Sequence, residues 1–130
     1  MQDTRRQFGY QAEDKIKQVY ENHDYELIAQ NFEYRLDHRS GRMGEIDLIM
    51  KKKSENLIAF VEVKARNNQK FGPALEQVTQ KQLRSIYFAI QKFLLKNKQF
   101  NTFKLRFDLA TIENSKINIY PNAYSFDSIS

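Results

Sequence analysis

Gly44-Glu45-Ile46-Asp47-Leu48-Ile49-Met50 and Leu57-Ile58-Ala59-Phe60-Val61-Glu62-Val63-Lys64 decide how this chain reads. Each run is short, rich in Ile, Val, Leu or Phe, and bounded by polar residues, which is the pattern of a buried strand. The segment between them, Lys51-Lys52-Lys53-Ser54-Glu55-Asn56, is polar and has the length of a hairpin loop. A buried strand does not carry acids unless something satisfies them. Side chains alternate along a strand, so Glu45 shares a face with Asp47, and Glu62 shares one with Lys64. Closing the hairpin can bring Asp47 and Glu62 side by side, with Lys64 next to them.

Two carboxylates converging from adjacent strands suit a hard cation such as Mg²⁺, which takes one or two carboxylates plus water and substrate phosphate. The matching chemistry is phosphodiester cleavage. The ion polarises the phosphoryl oxygen and acidifies a water, and a neighbouring lysine orients that water and stabilises developing charge. The plainer reading puts these charges on the exposed face of an amphipathic hairpin. The rest of both runs is almost wholly apolar, which predicts that both faces are covered and weighs against that reading.

Length and composition bound the answer. A chain of 130 residues predicts one domain over 1–130, large enough to bury roughly two thirds of its unfolded surface. Hydrophobic residues at 41% and charged residues at 28% belong to an ordinary soluble globular class. No run of 18 or more apolar residues predicts a membrane span, and Met1 to Gln7 lacks the shape of a signal peptide, so the expected location is the cytoplasm. Cysteine is absent, and the two histidines, His23 and His38, are far apart in sequence. Disulfides, thiolate zinc and cysteine nucleophiles are excluded, and a Ser-His-Asp triad is poorly supported. The net charge of +5 is uneven. Residues 1–50 carry 7 basic and 10 acidic side chains, whereas residues 51–106 carry 13 basic and only 3 acidic ones. A basic middle that also holds a hard-metal motif points to a polyanionic partner, nucleic acid; without the motif it would equally be a solvated lysine-rich surface.

Taken in order, Arg5 to about Glu21 reads as a helix with Phe8, Ala12, Ile16, Val19 and Tyr20 on its inward stripe. Glu13 lies at the edge of that stripe, about 20° from Tyr20, where periodicity alone favours a surface position. Tyr25–Tyr34 reads as a first strand and Arg35–Met43 as a loop. After Lys64 comes a polar Gly-Pro loop whose cations, Arg66 and Lys70, are placed to meet phosphate or to be solvated. Ala74–Val78 reads as a short helical turn. Gln80–Lys96 is the clearest helix: Leu83, Ile86, Tyr87, Ile90, Phe93 and Leu94 form its apolar stripe, while Lys81 and Arg84 fall off it. Phe103–Ile112 alternates as a strand, Glu113–Lys116 turns, and Ile117–Tyr120 is a last strand, followed by a tail pinned by Tyr124 and Phe126. The order αβββαββ predicts an α/β fold, helices flanking a mixed sheet.

Asp47 followed by Glu62-Val63-Lys64 resembles the D…(D/E)xK signature of the PD-(D/E)xK nuclease superfamily. More narrowly, the chain resembles the YraN family of predicted bacterial endonucleases, which are similar to Holliday-junction resolvases. The resemblance covers nearly the whole chain: Arg5-Arg6-Gln7 with Gly9, Ala12-Glu13-Asp14, Ala29-Gln30-Asn31-Phe32, Gly44 to Ile49, Phe60 to Arg66, Phe71-Gly72, Val78-Thr79 and Arg106-Phe107-Asp108. It implies a restriction-endonuclease-like αβββαβ core. It also implies Asp47 and Glu62 as the principal Mg²⁺ ligands, Lys64 as the catalytic lysine, and Glu13 as the acid contributed by the first helix. Glu45 matches an acid of the same string without a defined role. Similarity to resolvases implies a homodimer. One position departs: the family usually has lysine four residues after the valine of Val78-Thr79, and here Gln82 stands there, with Lys81 beside it.

The expectation is therefore a Mg²⁺-dependent (or Mn²⁺-dependent) endonuclease acting on DNA, with a preference for branched structures. Its catalytic residues are Asp47, Glu62, Lys64 and Glu13, the metal ligands are Asp47, Glu62 and Glu13, and Arg66, Lys70, Lys81 and Arg84 contact nucleic acid. The rival is a nucleic-acid-binding module that keeps the fold without turnover. A weaker third reading, an interaction protein with lysines for solubility, leaves the buried acids unexplained.

Overall fold

The computed structural model describes residues 4–37, 42–66 and 78–125. The elements run α1 (Thr4–Glu21), β1 (Tyr25–Asp37), β2 (Arg42–Lys52), β3 (Leu57–Arg66), α2 (Gln80–Lys96), a 3₁₀ turn (Lys98–Phe100), β4 (Lys104–Glu113) and β5 (Lys116–Tyr120). The five strands form one sheet in the order β1-β2-β3-β4-β5. β3 and β4 are parallel, and the other neighbours are antiparallel. A parallel pair cannot be closed by a tight turn, and α2 lies in the crossover that joins these two. The result is a mixed sheet flanked by two helices, consistent with a restriction-endonuclease-like core. Among the described residues no helix is long and apolar enough to cross a membrane.

The polar stretch 35–43 is not all loop. Arg35 pairs with Met43 and Asp37 with Arg42, so the β1–β2 hairpin runs on past its apolar part. Ladder hydrogen bonds come from the backbone and do not require apolar side chains, which is why the hydrophobic pattern stops before the strands do. The tip, 38–41, lies outside the described residues. So do residues 74–77 of the expected helical turn, and Val78 at its end is not helical. Tyr124 pins the tail by packing edge-on against Phe107 at 5.4 Å, and the Ala123 N–H donates to the Phe107 carbonyl at 2.9 Å. Phe126 lies outside the described residues.

Each sheet face carries its own core. On one, Ile49, Ile58, Phe60 and Phe107 pack against Leu83, Ile86, Ala89, Ile90 and Phe93 of α2. On the other, Leu48, Met50, Ala59, Val61, Ala110 and Ile112 pack against Ala12, Ile16 and Tyr20 of α1. Alternation along β3 continues this division: Val63 and Ala65 join the α1 side, which places Glu62 and Lys64 on the side of α2.

α2 begins with a capping box. The Gln82 N–H donates to Thr79 Oγ1 at 3.1 Å, and the Thr79 N–H donates to Gln82 Oε1 at 3.0 Å. Two of the helix's orphan donors are thereby satisfied. The helix lies close on β2 because Gly44 has no side chain: a Cβ there would collide with the Ser85 carbonyl oxygen and press on Ala89. Neither obstacle is a flexible side-chain end. Gly44→Ala is therefore expected to push α2 outward at a cost of about 1–3 kcal/mol. Thermal denaturation of the variant should show a midpoint several degrees below that of the parent. An unchanged midpoint would mean that α2 does not depend on this contact.

Candidate active site

Alternation breaks where the acids stand. Ile46 packs with the α2-side core, yet Leu48, two residues on, packs with the α1 side. The partner strand does the same, since Phe32 sits on the α2 side and Gln30 reaches the α1 residue Glu13. The β1–β2 pairing is recorded at Gln30–Leu48 and at Phe32–Ile46 and skips the position between, Asn31 opposite Asp47. Asn31 has φ 54°, a left-handed conformation that asparagine tolerates better than most residues. Both strands turn over at this step, and Asp47 is lifted out of the ladder.

What holds Asp47 is β3. The β2–β3 pairing is recorded up to Leu48–Val61. One step further on, the Val63 N–H donates to Asp47 Oδ2 at 2.8 Å. The same register sets Asp47 opposite Glu62, close enough for a side-chain hydrogen bond between the two carboxyls. Lys64 Nζ lies 3.5 Å from Glu62 Oε1, with both side chains only partly exposed. The mouth of this cluster is an open cleft of about 260 Å³ lined by Glu45, Asp47 and Glu62 from the sheet and by Lys81, Gln82, Ser85 and Ile86 from α2.

Glu13 reaches the cluster from α1. It is buried, at 8% exposure, which overturns the surface position that helical periodicity favours. Its carboxylate accepts from Gln30 Nε2 at 3.4 Å and also has a side-chain hydrogen bond with Asn31, so the kinked step of β1 holds it. Burial first, and then the charge of Asp47, push its pKa up to about 7. Asp47 is raised by burial and then by Glu62, against the Val63 N–H and Lys64, which favour its charged form. Glu62 is raised by burial, with Lys64 as the main opposing influence. Glu45 is exposed, and its charge bears on Glu13, Asp47 and Glu62 alike. Four acids thus crowd one end of the sheet beside one partly buried lysine.

The donor set fits a Mg²⁺-class ion in the form that ion prefers: two carboxylates, Asp47 and Glu62, opening on a cleft with room for water and a phosphate oxygen. Among the described residues no three His, Cys, Asp or Glu side chains gather closely enough to hold an ion by themselves. Glu13, the third acid of the expected set, acts on this pair through its charge interaction with Asp47.

The expected nucleic-acid contacts divide. Lys81 lines the cleft, and Arg84 is exposed one turn along α2. Arg66 ends β3, but its side chain, like the whole of Lys70, lies outside the described residues. Gln82, which stands where the resembled family has lysine, contributes its side chain to the capping box of α2.

Sequence reasoning did not foresee two parts of the site. One is Asn31, whose signals were an asparagine in mid-strand and its place in the Ala29–Phe32 stretch of the family resemblance. The other is Ser85, whose only signal was its helical spacing from Lys81 and Gln82.

A family model described as "Uncharacterised protein family UPF0102" matches residues 12–112, a span that contains Glu13, Asp47, Glu62, Lys64, Lys81 and Arg84. A UPF0102 protein of Vibrio parahaemolyticus is 36% identical over 124 residues, covering 94% of this chain and 95% of its own. One from Acetivibrio thermocellus is 33% identical, with 94% of each chain covered. One from Fusobacterium nucleatum is 27% identical, with 95% of this chain and 96% of its own covered. The shared description conveys membership and no activity. On a model that spans most of the chain and relatives that match almost end to end, this protein belongs to the uncharacterised protein family UPF0102, the YraN family.

Proposed function

We propose that this protein is a metal-dependent endonuclease that hydrolyses phosphodiester bonds in DNA. The observation that supports this most is the convergence of Asp47 and Glu62 beside Lys64, at the mouth of a cleft whose far wall carries Lys81. Asp47 and Glu62 would hold the ion, and Mg²⁺ or Mn²⁺ bound there would supply Lewis-acid polarisation of the phosphoryl oxygen and a water of lowered pKa. The remaining work falls to the chain. The Val63 N–H fixes the Asp47 carboxylate, so it need not reorganise when substrate arrives. Lys64 orients the attacking water and offsets charge on the phosphoryl oxygens as the P–O bond breaks. Lys81 meets the neighbouring phosphate of the same strand.

The second reading is a binding module that keeps the fold without turnover. Incubation with Mg²⁺ or Mn²⁺ and a panel of linear, flapped and four-way-junction DNAs separates the two. The endonuclease should cut at least one member and should lose that activity in EDTA. Lys64→Ala should still bind DNA while cutting roughly 10²-fold more slowly. Affinity should fall as salt rises, each neutralised phosphate adding about −0.9 to the log–log slope on duplex DNA. Binding without cutting in either metal would leave the module reading, and no binding at low salt would remove both.

A further inference from the structure

The exposed face of α2 combines features that the cleavage reading leaves unused. Between Gln80 and Lys98 the chain carries Lys81, Arg84, Lys92, Lys96 and Lys98 and no acid at all. Phe88 stands 46% exposed on that face. At 100° per residue, Phe88 lies about 20° around the helix from Lys81 and about 40° from Arg84, nearly opposite the buried stripe. At 1.5 Å per residue it is about 6 Å along the axis from Arg84 and about 10 Å from Lys81. Lys81 is in the wall of the carboxylate cleft. A large aromatic ring therefore points outward from a helix whose charged residues are all cations, one turn beyond Arg84 and two beyond the cleft.

A single exposed aromatic is unremarkable on most surfaces. Here its surroundings select an occupant. A second copy of this chain packed through α2 would set cations against cations. A nucleic-acid strand complements the face: its phosphates meet the lysines and Arg84, and its bases offer π-faces to a ring. The roughly 10 Å from Lys81 to Phe88 corresponds to about three nucleotide steps of a stacked strand. A paired base is closed off in the duplex and has no face to give, so the ring selects an unpaired one.

We propose that Phe88 is a base-stacking platform, and that the face of α2 running from Lys81 through Arg84 to Phe88 takes single-stranded or locally unpaired nucleic acid about three nucleotides from the cleft. This rests on the nucleic-acid reading above and names its substrate class.

The test is fluorescence anisotropy of the full chain in EDTA at low salt, with a labelled 20-nucleotide single strand, the matching blunt duplex, and a duplex bearing a short flap. The parent should bind the single strand and the flap more tightly than the duplex. Phe88→Ala should weaken the first two by roughly 5- to 100-fold and leave duplex binding within about twofold. Phe88→Trp should restore them, and 2-aminopurine in the single strand should lose its fluorescence on binding the parent but not Phe88→Ala. Equal losses on all three DNAs, or no loss on any, would overturn the platform while leaving nucleic-acid binding in place. A parent that sediments as a dimer and a Phe88→Ala variant that sediments as a monomer would overturn it by assigning the ring to a subunit contact. A parent that binds none of the three would remove the nucleic-acid reading itself. Because every arm omits metal, failure of the cleavage reading does not touch the outcome.

Discussion

Asp47→Asn should abolish metal-dependent cleavage, by roughly 10³-fold or more, and should at the same time make the metal-free protein more stable at pH 8. The two effects have one origin. Asp47 is charge-coupled to the other three acids of the cluster, and its pKa is raised by burial and by Glu62. Asparagine keeps an oxygen to accept the Val63 N–H that now bonds Asp47 at 2.8 Å, so the local geometry is retained. It removes a charge that a metal would need and that the apo protein merely tolerates. The sign follows from linkage. Glu13 is held up to about 7 from an ordinary 4.5, and Asp47 and Glu62 are shifted the same way. A carboxyl whose pKa is higher folded than unfolded holds its proton better in the native state, so native stability falls as pH rises from about 4.5 through about 7. Urea denaturation in EDTA should show parent and Asp47→Asn nearly equal at pH 4, with the variant ahead by on the order of 1–3 kcal/mol at pH 8. A variant that is less stable than the parent at pH 8 would mean the acids are not repelling one another. Cleavage persisting at the parental rate would mean that the cut is made elsewhere.

The same residues show what a sequence can and cannot display. That Asp47 and Glu62 meet is legible from two apolar runs and the short polar segment between them, although Lys51 and Lys52 of that segment prove to belong to β2, because an antiparallel hairpin fixes which positions oppose. That helix α2 covers Gln80–Lys96 is legible from an apolar stripe at helical spacing and from Thr79 at its start. Glu13 is different. Its helix is plain, but its burial depends on Gln30 and Asn31 arriving from β1, and no periodicity within α1 contains that. The reversal of faces at Asn31 and Asp47 is likewise a property of two strands together. A strict period of two along either one would have sent Ile46 and Phe32 to the wrong core. Gly44 opens the first apolar run in the sequence and proves to be where a helix backbone comes to rest. In each case the missing information is the identity of a neighbour distant in the chain.

Asp108 is the extreme of that class, and its loss should be the most damaging single change away from the cleft. In the sequence it is an acid in an alternating strand. In the fold it is wholly buried and accepts four hydrogen bonds: from Tyr20 Oη at 2.7 Å, from Arg106 Nε and Nη2 at 2.8 Å each, and from the Asn122 N–H at 2.9 Å. Arg106 Nη2 also donates to Tyr25 Oη at 2.7 Å, and Tyr20 meets the Tyr25 ring edge-on at 5.1 Å. One carboxylate thus ties α1, β1, β4 and the segment after β5. The hydrogen bond to Asp108 raises the Arg106 pKa, and burial together with Asp108 raises that of Tyr20, so the guanidinium stays charged and the phenol stays neutral. Asp108→Ala would strand a largely buried guanidinium, a phenol and a backbone N–H without their acceptor. Breaking a buried pair from one side costs about 3–5 kcal/mol, a large fraction of the stability of a domain this size. Tyr20→Phe removes only one of the four donors and should cost about 0.5–1.5 kcal/mol. Because Tyr20 lies two turns from Glu13 on the same face of α1, the larger loss should also release Glu13 from the carboxylate cluster. Urea denaturation of the three proteins should rank them parent, Tyr20→Phe, Asp108→Ala. If Asp108→Ala falls within 1 kcal/mol of the parent, the network is incidental, and α1 is held by the apolar contacts of Ala12, Ile16 and Tyr20 alone.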